Sequence, residues 1–474
     1  MPDEMNLRRE VLSGTIAQVL RFVIGFVGTV VMAIILGPES FGGVALVVTL
    51  VYFLDQPIEG WAIAAKQRIA SGAQSPEIAF GGFLLATTVW LVVIGIGVAM
   101  TAGQIQSFTG LEIGPPFVLL VAVTTSVLAG LRSLLAGRGQ VGAANWYQTA
   151  TALTTTPLQV GLVVIGYGAL GMLGGLVAGT GVLLPFAVRR VTPRLSHPTR
   201  AELLSQWRYA RKVIIQIVFG RVYARVDLFL LGTLLSPSSV GHYQVAWKLV
   251  LPTAVVTGVA AGGLMTRVAS NTGRGESPVD EIEGVLSFAS VLAIPAFFGT
   301  AVLGRPLLIA LFGPAYAPAA TLLVGLAAFR VLSTQSVPLV QTLNGLDAVG
   351  QTIPIKALGL VINVILGVVL VDRYGAIGVV VATILAQMLV YALLVNAVRS
   401  ELGAFSPVTL PFVAQLVAGT SMAVGLLALP LDLEGPWTVA VAVGLGAVGY
   451  GAILLGLSAG TRQIALATID DLTS

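Results

Sequence analysis

Apolar runs of about twenty residues follow one another from residue 11 to residue 458, divided by short turns rich in Gly, Pro and Ser. A helix that crosses a bilayer needs about 20 such residues. The runs are continuous. A membrane barrel would instead alternate apolar and polar positions. Charge is scarce, at 10% of residues against about 25% in a soluble domain, and mean hydropathy is +0.95. The chain therefore reads as an all-α polytopic membrane protein.

Turn residues divide the runs into fourteen expected spans: 11–36, 42–64, 79–101, 115–136, 142–165, 168–188, 213–235, 240–265, 285–304, 316–337, 351–371, 375–397, 409–430 and 436–458. The first is too long for a signal-peptide core and has no small-residue cleavage site after it, so it is expected to be retained. With the N-terminus in the cytoplasm, the inner connections carry 17 Lys and Arg and the outer ones only Arg305 and Arg373. That bias predicts an even span count, both termini cytoplasmic, in a multi-pass cell (plasma) membrane protein. The basic stretch 189–212 reads as a cytoplasmic linker whose residues 201–212 form a short amphipathic helix at the membrane surface. Connection 269–283, with Glu276, Asp280, Glu281 and Glu283, reads as a solvated loop.

The two halves resemble each other. Leu36-Gly-Pro-Glu-Ser-Phe-Gly42 returns as Leu235-Ser-Pro-Ser-Ser-Val-Gly241, 199 residues later, and Tyr167-Gly-Ala-Leu-Gly171 returns as Tyr374-Gly-Ala-Ile-Gly378, 207 residues later. Two matches in the same order at nearly the same offset predict a duplicated six-span unit of unchanged topology, with a site between the bundles. The expected organisation is an N-lobe at 1–188, the linker 189–212, a C-lobe at 213–397, and two further helices with a tail at 398–474. The Gly and Pro residues of these motifs are read as turn formers.

Several chemistries are excluded. The chain has no cysteine, and its two histidines, His197 and His242, are far apart. No thiolate or histidine metal cluster is expected. There is no phosphate-binding G-x-x-x-x-G-K-[ST] loop. We expect no cofactor, no catalytic residues and no nucleic-acid partner.

What remains is charge inside the spans. Each such residue costs about 2.5–3.5 kcal/mol at a helix centre on insertion scales, so it needs a partner or a wet cavity. Arg330 and Lys356 fall within about two turns of the expected cytoplasmic span ends and are read as structural, snorkelling cations. Arg21, Arg221 and Arg225 fall near mid-depth, on the first helix of each repeat. Arg221 and Arg225, four apart, share a face. Guanidinium matches phosphate oxygens with a two-pronged fork, so these three are the candidate substrate-binding residues. Lys248, higher in the eighth span, either receives the head group or pairs with Asp227. Asp55 and Glu59 share a face of the second span. They either neutralise Arg21 or Arg330, or compete with phosphate for the arginines, or accept a coupling H+ or Na+. The tryptophans, Trp61, Trp90 and Trp247 among them, are expected to anchor span ends at the interface.

The repeat motifs, together with Arg225-Val-Asp227 running to Val240-Gly-His-Tyr243, Leu311-Phe-Gly-Pro-Ala-Tyr316 and Ile362-Asn-Val-Ile, resemble the multidrug/oligosaccharidyl-lipid/polysaccharide exporter superfamily, in its polysaccharide (O-antigen type) flippase branch. The resemblance implies a V-shaped pair of bundles with alternating access. It also implies a lipid-linked oligosaccharide substrate on a polyprenyl phosphate or pyrophosphate carrier, moved between leaflets among membrane lipids and supplied by membrane-associated glycosyltransferases. A cation-coupled multidrug antiporter of the same superfamily is the alternative. It needs an acidic cavity, which Asp55, Glu59 and Asp227 could supply and the mid-depth arginines oppose. A membrane glycosyltransferase would need acids in large outer loops, where the longest connection, 102–114, has only Glu112. A scaffold would not need buried arginines.

Overall fold

The computed structural model describes residues 2–191, 196–430, 432–433 and 435–458, with side chains from Leu20 onward. Among these residues every regular element is a helix. The chain forms two compact units, Met1–Gly241 and His242–Ser474.

The first unit holds α1 (Pro2–Leu54), α2 (Gln56–Ala70), α3 (Pro76–Met100), α4 (Ala102–Thr109), α5 (Gly114–Gly137), α6 (Val141–Leu162), α7 (Gly168–Val191) and α8 (Arg200–Leu234). Helix α9 (Pro237–Val250) begins in it and runs into the second unit. The second unit continues with α10 (Val255–Gly262), α11 (Leu264–Gly273), α12 (Val279–Ala289), α13 (Ala293–Phe312), α14 (Ala320–Gly345), α15 (Val349–Tyr374), α16 (Ala376–Leu402), α17 (Leu410–Ala428) and α18 (Pro436–Leu457).

Eleven helical stretches among the described residues are long and apolar enough to cross a membrane. Five of them run past 30 residues, and two of these five carry glycine kinks. Leu20–Leu54 kinks at Gly37, whose φ of 70° and ψ of 170° lie outside the helical region and precede Pro38. Val141–Val191 is 51 residues long, roughly 75 Å at 1.5 Å per residue, and breaks at Gly166 and Gly168. Helix α8 is not among the eleven, because its cations lower its hydropathy.

The two motif pairs differ in how they use glycine. Gly168 and Gly375 adopt nearly the same left-handed turn, φ 54°, ψ −136° and φ 58°, ψ −140°, where any side chain is strained. Gly42 and Gly241 are not turn formers, contrary to the sequence expectation. A Cβ on Gly42 would stand 1.7 Å from the Pro237 carbonyl oxygen, and one on Gly241 would stand 2.1 Å from that of Pro38. Each repeat motif is thus packed backbone to backbone against the other, and only glycine permits that approach.

Helix α8 lies antiparallel along residues 52–74. Thr199 and Glu202 start it with a reciprocal cap: the Thr199 backbone N–H donates to the Glu202 carboxylate (2.7 Å), and the Glu202 N–H donates to Thr199 Oγ1. The Thr199 backbone N–H and hydroxyl, which both donate to the Glu202 carboxylate, hold that carboxyl below the usual carboxylate range. Nothing interrupts the ladder before Leu234, so residues 201–212 form the first turns of a 35-residue helix and not a separate surface helix. Gln206, fully buried, accepts from Trp61 Nε1 (2.6 Å) and donates to Gln74 Oε1 (2.8 Å). Arg68 donates to the Ser205 carbonyl (2.9 Å). Trp61 is therefore a packing donor as well as an aromatic, and Trp90 likewise donates to the Leu54 carbonyl (2.7 Å).

In the second unit the polar stretch 269–283 is mostly helical, leaving a short turn between α11 and α12, with Arg267 paired to Glu281 (3.0 Å). Helix α12 stops at Ala289, and three side chains from other helices close its end. Gln335 of α14 donates to the Leu286 carbonyl (3.1 Å), Gln415 of α17 to that of Ser287 (2.5 Å), and Thr257 of α10 to that of Ala289 (2.6 Å). A helix end left open in hydrocarbon would strand these carbonyls.

Candidate functional site

The register of α8 along α1 and α2 sets the site. Arg221 Nη2 reaches Glu59 Oε2 at 2.6 Å. The same guanidinium lies over the Tyr52 ring, its Cζ 3.6 Å from the centroid, and Arg225 approaches that ring at 5.2 Å. Tyr52, near the end of α1, and Glu59, in the first turn of α2, stand seven residues apart across the junction at Asp55, and Arg221 and Arg225 are four apart on one face of α8. Two like charges therefore share one aromatic platform, and one of them, Arg221, also holds the Glu59 carboxylate. The pair stays partly open: the Arg221 and Glu59 side chains keep 22% and 32% of their surface exposed.

Asp55 sits at the junction of α1 and α2. Pro57 lacks an N–H there and interrupts the helical ladder. Gln56 bridges the junction, donating to the Asp55 carboxylate (2.9 Å) and to the Tyr52 carbonyl. Among the described residues Asp55 pairs with neither Arg21 nor Arg330; of the two acids Glu59 takes an arginine, and its partner is Arg221. The cause is depth: the α8 register brings Arg221 level with Glu59.

Arg21 is half-buried on α1. Arg132, counted above with the inner connections, belongs to α5, where it lies within electrostatic range of both Glu59 and Arg21. Sequence reading missed Arg132 and Tyr52. Arg132 was placed too near a span end, and one tyrosine among many carries no signal of its own. Asp227 is engaged by neighbours and lies within electrostatic range of Tyr223. In the second unit Lys248 occupies the last turn of α9 and is also engaged.

Arg330 departs from expectation. Helix α14 extends to Gly345, so Arg330 is near its middle and not close to an end. Its guanidinium stacks on Trp247 at 4.3 Å, which makes Trp247 a partner for a cation as well as an apolar anchor.

A polytopic helical bundle with a cluster of arginines inside its first unit has the architecture of a multi-pass membrane transporter. Residues 7–262, more than half the chain, match the family described as polysaccharide biosynthesis protein, and the chain belongs to that family. It is similar to the probable flippase AglR of Haloferax volcanii, with 28% identity over 469 residues that cover 94% of this chain and 95% of that one. Its fold is shared with the lipid II flippase MurJ in an inward closed conformation, at a TM-score of 0.77 and 13% identity, covering 94% of this chain and 98% of that one. An inward-facing multidrug resistance MATE transporter of the MOP superfamily matches at a TM-score of 0.62 and 16% identity, covering 80% and 95%.

Proposed function

We propose that the chain is a flippase that carries a glycan, linked to a polyprenyl phosphate or pyrophosphate, from the inner to the outer leaflet by alternating access. The family, the flippase relative and the fold all favour this reading over a multidrug antiporter. The observation that carries it is the shared arginine: Arg221 has its fork on Glu59, its face on Tyr52, and Arg225 beside it. A carrier phosphate would enter by taking the fork from Glu59, with Arg225, Arg21 and Arg132 adding charge. The released Glu59 carboxylate, with Asp55 close by, could then accept H+ or Na+, which would couple transport to an ion gradient. In the second unit, Lys248 would meet the head group later. Asp227 adds a carboxylate to the same helix.

The same reading takes the eleven apolar stretches as fourteen spans in two lobes. The kinked stretches would count as two spans each, and α8 would cross despite its arginines. Both termini would face the cytoplasm, and membrane-associated glycosyltransferases would supply the substrate. The test is outer-leaflet lipid-linked glycan at matched protein level in the membrane. A charge-assisted hydrogen bond is worth about 1.5–3 kcal/mol, so losing Arg221 or Arg225 should cut flipping tenfold or more. Arg→Lys should recover part, and Arg221→Glu with Arg225→Glu should abolish it. Normal export by a stable double variant would overturn the reading.

A further inference from the structure

Arg330 is the tenth residue after the start of a 26-residue helix, with fifteen more before the helix ends at Gly345. Fifteen residues of helix span about 22 Å, far beyond the reach of one side chain, so its guanidinium cannot reach the Gly345 end of the helix. Every acid described in the second unit lies in a connection or within two turns of a helix end. Among the described residues Arg330 forms no ion pair and donates no hydrogen bond, and its Nε is buried without an acceptor. One face of the guanidinium is covered by Trp247, which is itself flanked by Tyr243 at 6.1 Å and Phe329 at 6.0 Å. An arginine stacked in this way keeps its N–H groups in plane, pointing away from the ring. The aromatic wall fixes the direction of a donor fork for which the described residues of the unit supply no carboxylate; the polar group within electrostatic range is the neutral Tyr243 phenol.

We propose that Arg330 binds an oxyanion of the cargo, at a second station in the His242–Ser474 unit, with the Trp247 ring orienting its fork. The proposal rests on the flippase reading and extends it: the cargo meets one arginine cluster in the first unit and a separate guanidinium in the second. The oxyanion is either the carrier phosphate or an acidic group on the glycan, and both present the paired oxygens that a guanidinium fork matches.

The test uses the purified full-length chain and two probe pairs. Farnesyl pyrophosphate is compared with farnesol, and octyl glucuronide with octyl glucoside, by calorimetry. Arg330→Met should weaken one anionic probe by tenfold or more and leave both neutral probes unchanged. Arg330→Lys should recover part of that affinity. Loss on the farnesyl arm assigns the carrier phosphate, and loss on the glucuronide arm assigns an acidic sugar. Arg330→Met should also raise the melting temperature, because it removes a charge that no described carboxylate balances; a purely structural arginine would lower it. If both anionic probes bind Arg330→Met as they bind the parent, or if it melts lower and Arg330→Lys restores stability with no change in binding, Arg330 is structural and the proposal fails. If Arg221→Gln with Arg225→Gln leaves both glycan export and farnesyl pyrophosphate affinity intact while the Arg330 effect stands, the flippase assignment of the first cluster fails and the second station survives.

Discussion

Tyr52 and Glu59 hold Arg221 from two sides, and each contact makes its own prediction. A cation over an aromatic face is worth about 0.5–2 kcal/mol, depending on how dry the site is. Tyr52→Leu should therefore lower flipping several-fold, while Tyr52→Phe, which keeps the ring, stays near the parent; the assay is outer-leaflet glycan per unit of membrane protein. Glu59 acts in the opposite direction, because it occupies the fork that a phosphate would use. Glu59→Gln should lower the melting temperature modestly, as expected for a pair that is partly exposed and screened. It should also tighten binding of farnesyl pyrophosphate, measured by calorimetry. Weaker binding would mean that Glu59 positions Arg221 and does not compete for it. Arg221, Arg225, Asp55 and Glu59 were legible from sequence, because a charge inside an apolar run is conspicuous and a spacing of four defines a face. Which acid meets which arginine was not legible. That depends on how far α8 slides along α1 and α2, which is set by distant contacts such as Gln206 with Trp61. How far the Arg330 helix extends was not legible either: it continues eight residues past the expected span end, through Leu339, Val340 and Leu343.

At the scale of elements, glycine and the α8 cap carry the predictions. Gly42→Ala and Gly241→Ala each push a methyl into a backbone carbonyl of the opposing motif. Overpacking of this kind costs about 1–3 kcal/mol, so either change should lower thermal stability, and the pair should cost less than the sum because both strain one contact. The second prediction concerns pH. The Glu202 carboxyl is held below its ordinary range by Thr199, so its stabilising effect is complete above the unfolded carboxylate pKa and fades as pH falls through the folded value. Melts of the parent and Glu202→Gln should differ at neutral pH and converge in acid. A difference that persists in acid would show that the cap does not depend on ionisation. The turn positions between helices were readable from Gly and Pro. The use of Gly42 and Gly241 for close approach was not, because sequence alone does not separate a glycine that needs an unusual φ from one that needs an absent Cβ.

For the whole molecule, the fourteen-span reading predicts that reporter tags at the N-terminus and after Ser474 give the same cytoplasmic signal, while a tag within 431–435 reports the opposite side. Opposite signals from the two ends would mean an odd number of crossings and would break the parallel repeat. The class of fold was plain from apolar runs and scarce charge. The division into compact units was harder to read, because α8 joins the first unit through contacts that no local pattern encodes. The closed end of α12 bears on how such a chain is made. Synthesis runs from N- to C-terminus, so when α12 emerges Thr257 already exists, but Gln335 and Gln415 do not. The Leu286 and Ser287 carbonyls must wait, hydrated or held by the insertion machinery, until α14 and then α17 arrive. Helix α17 lies outside the duplicated unit read from the sequence, so the addition that follows the repeat supplies a cap that the repeat itself lacks. Until that last stretch is translated, α12 has no finished end.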